Sequence, residues 1–97
     1  MELKQVVLHV PGPGWKPGID FREQPGVMEH VKHMAAFHEQ GKLLMGGPFT
    51  DPDSGGMVIA AETVTREELE EFAASDPAVQ AGLLTFKVMT WYVPMAK

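Results

Sequence analysis

The sequence predicts one α+β domain, on three observations: two amphipathic helical segments whose ends are written in the residues, four segments of β character around them, and a length that leaves no room for a second core. Along the chain they read strand, helix, strand, strand, helix, strand. That order is the split βαβ, or ferredoxin-like, pattern βαββαβ, in which a four-stranded antiparallel sheet carries both helices on one face. The 97 residues, 44% hydrophobic and 22% charged, have an ordinary globular composition and imply a single domain over 1–97.

Leu3 to Val10 (LKQVVLHV), rich in Val and Leu and stopped by Pro11, is the first strand. His9 and Val7 point away from Leu8 and Val10, and the simplest reading of His9 is a residue on the sheet surface or at an interface. Residues 11 to 26 hold four Pro and four Gly with Trp15 and Phe21 among them, a long loop that acts either as a lid over a pocket or as a segment pinned to the body. The first helix follows. Val27, Val31, Met34 and His38 recur as one helical stripe, read as packing on the core with His30 at its border, while Pro25 suits the first turn and Gly41 the left-handed closing position. Lys42 to Met45 reads as a short buried strand, and Gly46-Gly47-Pro48 as the corner that ends it.

Phe49 to Gly56 is dense in turn formers and connects to a third strand, Met57 to Glu62. Thr65-Arg66-Glu67-Glu68 matches a capping box and starts the second helix, whose buried face is Leu69, Phe72 and Ala73. Asp76-Pro77 ends it, with one further turn over Ala78 to Gly82. Leu84 to Val93 alternates as the fourth strand and sets Met89, Trp91 and Val93 opposite the helix layer. That face is too apolar for water, which implies a homodimer joined through the open sheet faces.

Composition narrows the function classes. No apolar run approaches the ~18 residues needed to span a bilayer, and the Met1 to Lys4 start lacks the pattern of a signal peptide, so the expected location is the cytoplasm without membrane association. The absence of cysteine rules out disulfides and thiolate chemistry. A formal charge of −5 with only eight Lys and Arg argues against nucleic acid and for a small-molecule ligand. Among the histidines, only His30 with His33 has helical spacing that lets two share an ion, so neither metal nor another cofactor is expected. The Gly12-x-Gly14 and Gly46-Gly47 pairs lack the strand-glycine-helix context of a phosphate loop.

Topology then brings two distant residues together. With each connection reversing direction, the Trp15 loop, the hairpin from Gly46 to Gly56 and the Asp76-Pro77 corner share one end of the sheet, and His30 lies in the first helix beside them. Asp76 is seven residues after Leu69 and continues the inward stripe of its helix. A bordering His and an Asp before Pro are more often a packed residue and a turn residue; here their convergence makes them a candidate pair.

These residues also resemble a known family. His30, Gly41, Lys42-Leu43-Leu44, Gly46-Gly47-Pro48, Ser75-Asp76-Pro77 and Ala81-Gly82-Leu83 together are similar to the YCII-related (YciI-like) family over residues 26 to 93. The resemblance implies a dimeric α+β barrel with a His-Asp active-site pair at His30 and Asp76, and one characterised relative is a dehydrochlorinase of a chlorinated hydroxyhydroquinone. The long loop around Trp15 departs from the shorter members. Two classes of function follow. One is a cofactor-free enzyme of the isomerisation, elimination or dehydrochlorination type; a cofactorless oxygenase of the same barrel type has no residue arguing for it specifically. The other is a non-catalytic binding or interaction domain, with Trp15, Met28, Gly47, Pro48 and Phe49 as ligand contacts in either case.

Overall fold

The computed structural model describes residues 2–97; Met1, the first residue of the single domain expected over 1–97, lies outside them. The order of elements is the one the sequence implies. β1 (Glu2–Pro11), α1 (Val27–Glu39), β2 (Leu43–Pro48), β3 (Gly56–Ala60), α2 (Arg66–Ala74), the short α3 (Pro77–Gln80) and β4 (Leu84–Val93) follow one another, with a 3-10 turn over Phe21–Glu23 in the first loop. The strands form one antiparallel sheet in the order β2-β3-β1-β4, which makes this a ferredoxin-like α+β fold. Among the described residues no helix is long and apolar enough to cross a membrane.

Cross-strand register sorts the side chains. Val7 lies opposite Val58 on one side and Val88 on the other, and this row packs under the helices with Leu69, Phe72 and Phe37 to form the main core. The neighbouring row, Met45, Ile59, Val6 and Met89, belongs to the open face, where Met89 and Trp91 are exposed. β4 is an edge strand. Arg66, at the start of α2, reaches over it to donate to the Val88 carbonyl at 2.9 Å and to Thr90 Oγ1 at 3.3 Å, occupying part of the edge.

Several local expectations are revised. The second strand does not stop at Met45: it runs to Pro48, past a register irregularity between Leu43 and Met45, and only Leu43 is buried. β2 is the other edge of the sheet, where a proline without an N–H costs no ladder bond, so a corner motif serves as strand. Pro25 precedes the helix, because Gly26 is the N-cap and α1 begins at Val27. Gly41, with φ of 76°, takes the left-handed position that closes α1 as expected. Half of the capping box forms: Thr65 Oγ1 accepts from the Glu68 N–H at 3.1 Å, while the Glu68 carboxylate pairs with Lys42 Nζ at 2.5 Å.

The long loop is pinned to the body. The N–H groups of Gly12 and Gly14 donate to the carbonyls of Leu83 and Gly82, at 2.9 and 2.8 Å. Inside the loop the buried Gln24 side chain donates to the carbonyls of Lys16 and Ile19 and accepts from the Lys16 N–H. A buried amide that satisfies three backbone groups stands in for the secondary structure the loop lacks.

Candidate active site

The stripe of α1 borders a space, although Met34 and Val27 also pack against the buried clusters. Val27, His30, Val31, Met34, Ala35 and His38 all line a cavity of about 540 Å³, whose opposite walls come from β1, β2, β3 and the Leu83-Leu84 segment, with Trp15 and Phe21 of the long loop. Spacings of three and four residues do place these side chains on one face, yet only Phe37, one position off the stripe, is buried in the core. A helical period says that a face is apolar, and the tertiary structure decides whether packed side chains or a cavity lie against it.

His30 and Asp76 meet at this wall. His30 Nδ1 donates to Asp76 Oδ2 at 2.5 Å across 46 residues of sequence, short for a nitrogen-oxygen hydrogen bond and consistent with charge assistance. The ring is partly exposed and the carboxylate fully buried. Asp76 is not simply the end of a helix, as the sequence suggests: it is the N-cap of α3, with Oδ1 accepting from the Ala78 N–H at 2.9 Å and Pro77 in the first turn. The adjoining helix end therefore presents N–H groups to the carboxylate, which favours its charge. Burial by itself would raise the Asp76 pKa, but the hydrogen bond and charge of His30 together with the Ala78 N–H outweigh it and hold the carboxyl below its ordinary value. With Nδ1 committed to Asp76, Nε2 of His30 is the nitrogen left to meet a ligand.

His9 completes the cluster, and here the sequence reading needs correction. It is not at the sheet surface: it is 2% exposed, on the helix side of β1 beyond Val7, with its ring edge-on to His30 at a centroid distance of 4.9 Å. Its Nε2 lies 4.0 Å from Asp76 Oδ2 and has no hydrogen-bond partner. Burial, reinforced by the neighbouring His30, lowers its pKa from 6.5 to about 4. The signal was present, since a residue two after a core valine on a strand shares that valine's face.

The metal question also changes. His33 does not share an ion with His30, because its Nε2 donates to the Phe72 carbonyl at 2.7 Å and its ring stacks on Phe72. His9, His30 and Asp76 instead have ligand-type atoms within 4.8 Å of one another. Two ligands of one tetrahedral zinc stand roughly 3.3 Å apart, whereas the His30 to Asp76 contact at 2.5 Å is that of a donor and its acceptor.

The predicted ligand contacts divide. Gly47, Pro48 and Trp15 line the cavity. Met28 does not: it is 57% exposed, one residue and about 100° around the helix from Val27. Phe49 lines a second, smaller hollow with Trp15 and the Asp51 to Gly55 turn, because the strand already ends at Pro48. Trp15 belongs to both hollows. Its indole donates to Asp53 Oδ1 at 2.8 Å while its ring packs on Ala78, Leu83 and Leu84, so the loop both covers the site and is pinned.

Similarity to known proteins gives the family and the fold. The chain is 31% identical to the uncharacterized protein YjpA of Bacillus subtilis (strain 168) over 68 residues, which is 70% of this chain and 78% of that protein. Its fold is similar, with a TM-score of 0.61 and 24% identity over 94% of both chains, to 5-chloro-2-hydroxyhydroquinone dehydrochlorinase (TftG) from Burkholderia phenoliruptrix AC1100, a structure in complex with 2,5-dihydroxybenzoquinone. The YCII-related domain model matches residues 15–92, a span that holds His30, Asp76 and all the elements between them, and the chain belongs to that family.

Proposed function

We propose that this chain is a cofactor-free enzyme that moves a proton on a small molecule, with His30 as general acid/base and Asp76 as its orienting partner. The observation that carries this reading is the 2.5 Å hydrogen bond between His30 Nδ1 and a buried carboxylate at the wall of an apolar cavity. Asp76 fixes the tautomer with the hydrogen on Nδ1, so Nε2 offers its lone pair as a base, and the imidazolium formed by proton uptake is stabilised by the adjacent charge. In an elimination His30 would take a proton from carbon, the C–H pair would become the new double bond, and the leaving group would depart with its own bonding pair. Isomerisation uses the same base and returns the proton elsewhere. That one protein of this fold is a dehydrochlorinase, whose reaction is an elimination, supports this reading.

A second reading, a ligand-binding domain without catalysis, is favoured by the wall itself, where residues such as Val31, Met34, Leu44 and Leu84 supply apolar contact. The two separate experimentally. Compounds that stabilise the protein in a thermal screen are then followed for chemical change with the wild type, His30→Gln and Asp76→Asn. Turnover lost by about 10²-fold or more in His30→Gln, with binding retained, supports the enzyme. Binding without turnover in the wild type favours the second reading.

We also propose that two copies join through the open sheet face, where Met45, Met89 and Trp91 are exposed. Trp91→Glu should convert a dimer to a monomer in light scattering; a wild type that is already monomeric at micromolar concentration removes the proposal.

A further inference from the structure

Every polar side chain on the cavity wall except one has a partner. His30 donates to Asp76, His38 donates through Nδ1 to the Leu43 carbonyl and Trp15 donates to Asp53. His9 does not: its Nε2 is sealed and unbonded. A buried polar atom without a partner is rare enough to need a reason, and here the reason lies in how the ring is turned toward Asp76.

The surroundings of His9 assign its hydrogen. Nε2 faces the Asp76 carboxylate oxygen 4.0 Å away, and an N–H dipole pointed at a negative oxygen is favoured where a lone pair would be repelled. The hydrogen therefore sits on Nε2, leaving Nδ1 as an acceptor on a ring that forms part of the cavity wall. The ring is held in place by β1, because His9 pairs with Gly56 on one side and Phe86 on the other, and a Cβ at Gly55 (φ 76°) would collide with the His9 carbonyl.

We propose that His9 Nδ1 accepts a hydrogen bond from the ligand, so that the cavity selects a neutral molecule carrying an O–H or N–H donor next to the group handled by His30. The part played by His30 rests on the dyad reading above; the acceptor role of His9 stands on its own tautomer. Among the described residues the wall contains no Lys, Arg, Asp or Glu, so a carboxylate or phosphate would give up hydration without meeting a fixed counter-charge. Two imidazoles with centroids 4.9 Å apart are close enough for one small molecule to meet both. Burial holds the His9 pKa at about 4, which keeps the acceptor unprotonated at neutral pH.

Catechol, with hydroxyls on adjacent carbons, and 1,2-dimethoxybenzene, the same body without donors, are the probes. In protein carrying ¹⁵N-labelled histidine, catechol should move the His9 Nδ1 resonance in the direction of an accepted hydrogen bond and bind about tenfold or more tightly than the dimethoxy compound. His9→Phe keeps a buried aromatic ring and should bring the two affinities together; should it fail to fold, the wild-type titrations decide. Equal affinities in the wild type, a His9 signal that stays still while catechol binds, or no catechol binding at millimolar concentration overturns the inference. The dyad is read apart from this, from a far-downfield His30 Nδ1–H proton in ligand-free protein that disappears in Asp76→Asn. Loss of that signal's dependence on Asp76 would defeat the dyad while leaving the His9 result to stand or fall by itself.

Discussion

In the second half of the chain α2 lies directly on the sheet, with Leu69 and Ala73 at 0% exposure and Phe72 nearly sealed, whereas in the first half α1 seals only Phe37 and holds the rest of its apolar stripe over a cavity. Both helices are amphipathic and both connect strands of one sheet. The difference lies in what stands opposite them. Under α2 the inward row Val7, Val58 and Val88 meets large side chains and fills the layer. Near α1 the β2 strand presents Gly46 on the helix side, with no side chain to fill the gap, and the Pro/Gly-rich loop closes the space from the end with Trp15. One half of a pseudo-symmetric fold is tightly packed and the other encloses a cavity, with the His30–Asp76 bond and the stacked Phe37 and Phe72 rings joining the two.

The sharpest way to break this contrast is to remove equivalent apolar groups from each half. Leu69→Ala should destabilise the protein by about 2–5 kcal/mol in a denaturant titration, because it opens a cavity in a sealed layer. Met34→Ala, on a wall that already faces space, should cost less than half of that. Equal losses would mean that the cavity side is packed as tightly as the other.

Acid should act on the open half next. His9 has an ordinary pKa of 6.5 when unfolded and about 4 when folded, so the unfolded chain binds more protons between those values. Its contribution is complete above pH 6.5 and is lost as pH falls toward 4, about 3 kcal/mol in all. Asp76, whose pKa is lowered by its His30 and Ala78 bonds despite burial, adds a further loss below the ordinary carboxylate range. Unfolding curves across pH should show the upper limb vanish in His9→Phe and the lower one vanish in Asp76→Asn. A limb that survives its own substitution would assign the titration elsewhere.

A smaller effect is expected at the clasp between the two loops. Asp53→Ala removes the acceptor of the Trp15 indole and of the Gly18 N–H. These bonds are exposed, so the global stability should fall by about 1 kcal/mol or less, while Trp15 emission changes and protease cleavage within residues 12–25 quickens. Unchanged cleavage would show that Gln24 alone holds the loop. Smallest of all, Met28→Ala should alter stability by under about 0.5 kcal/mol and leave ligand binding unaffected, since Met28 is exposed and off the cavity.

What the residues determined by themselves were the features that rest on local chemistry. Thr65 caps the helix whose buried side is Leu69, Phe72 and Ala73, Gly41 ends the first helix, and the order of elements permits one antiparallel sheet with both main helices on a single side. Even the approach of His30 to Asp76 follows from that order, because reversing connections bring their two ends together. Tertiary structure alone decided that the α1 stripe lines a cavity, that Pro48 belongs to an edge strand, that Asp76 caps α3 as well as ending α2, and that His9 is buried with a sealed nitrogen. Each of these depends on what occupies the space opposite a residue. A periodic pattern records the polarity of a face, and the partner that meets the face comes from segments tens of residues away.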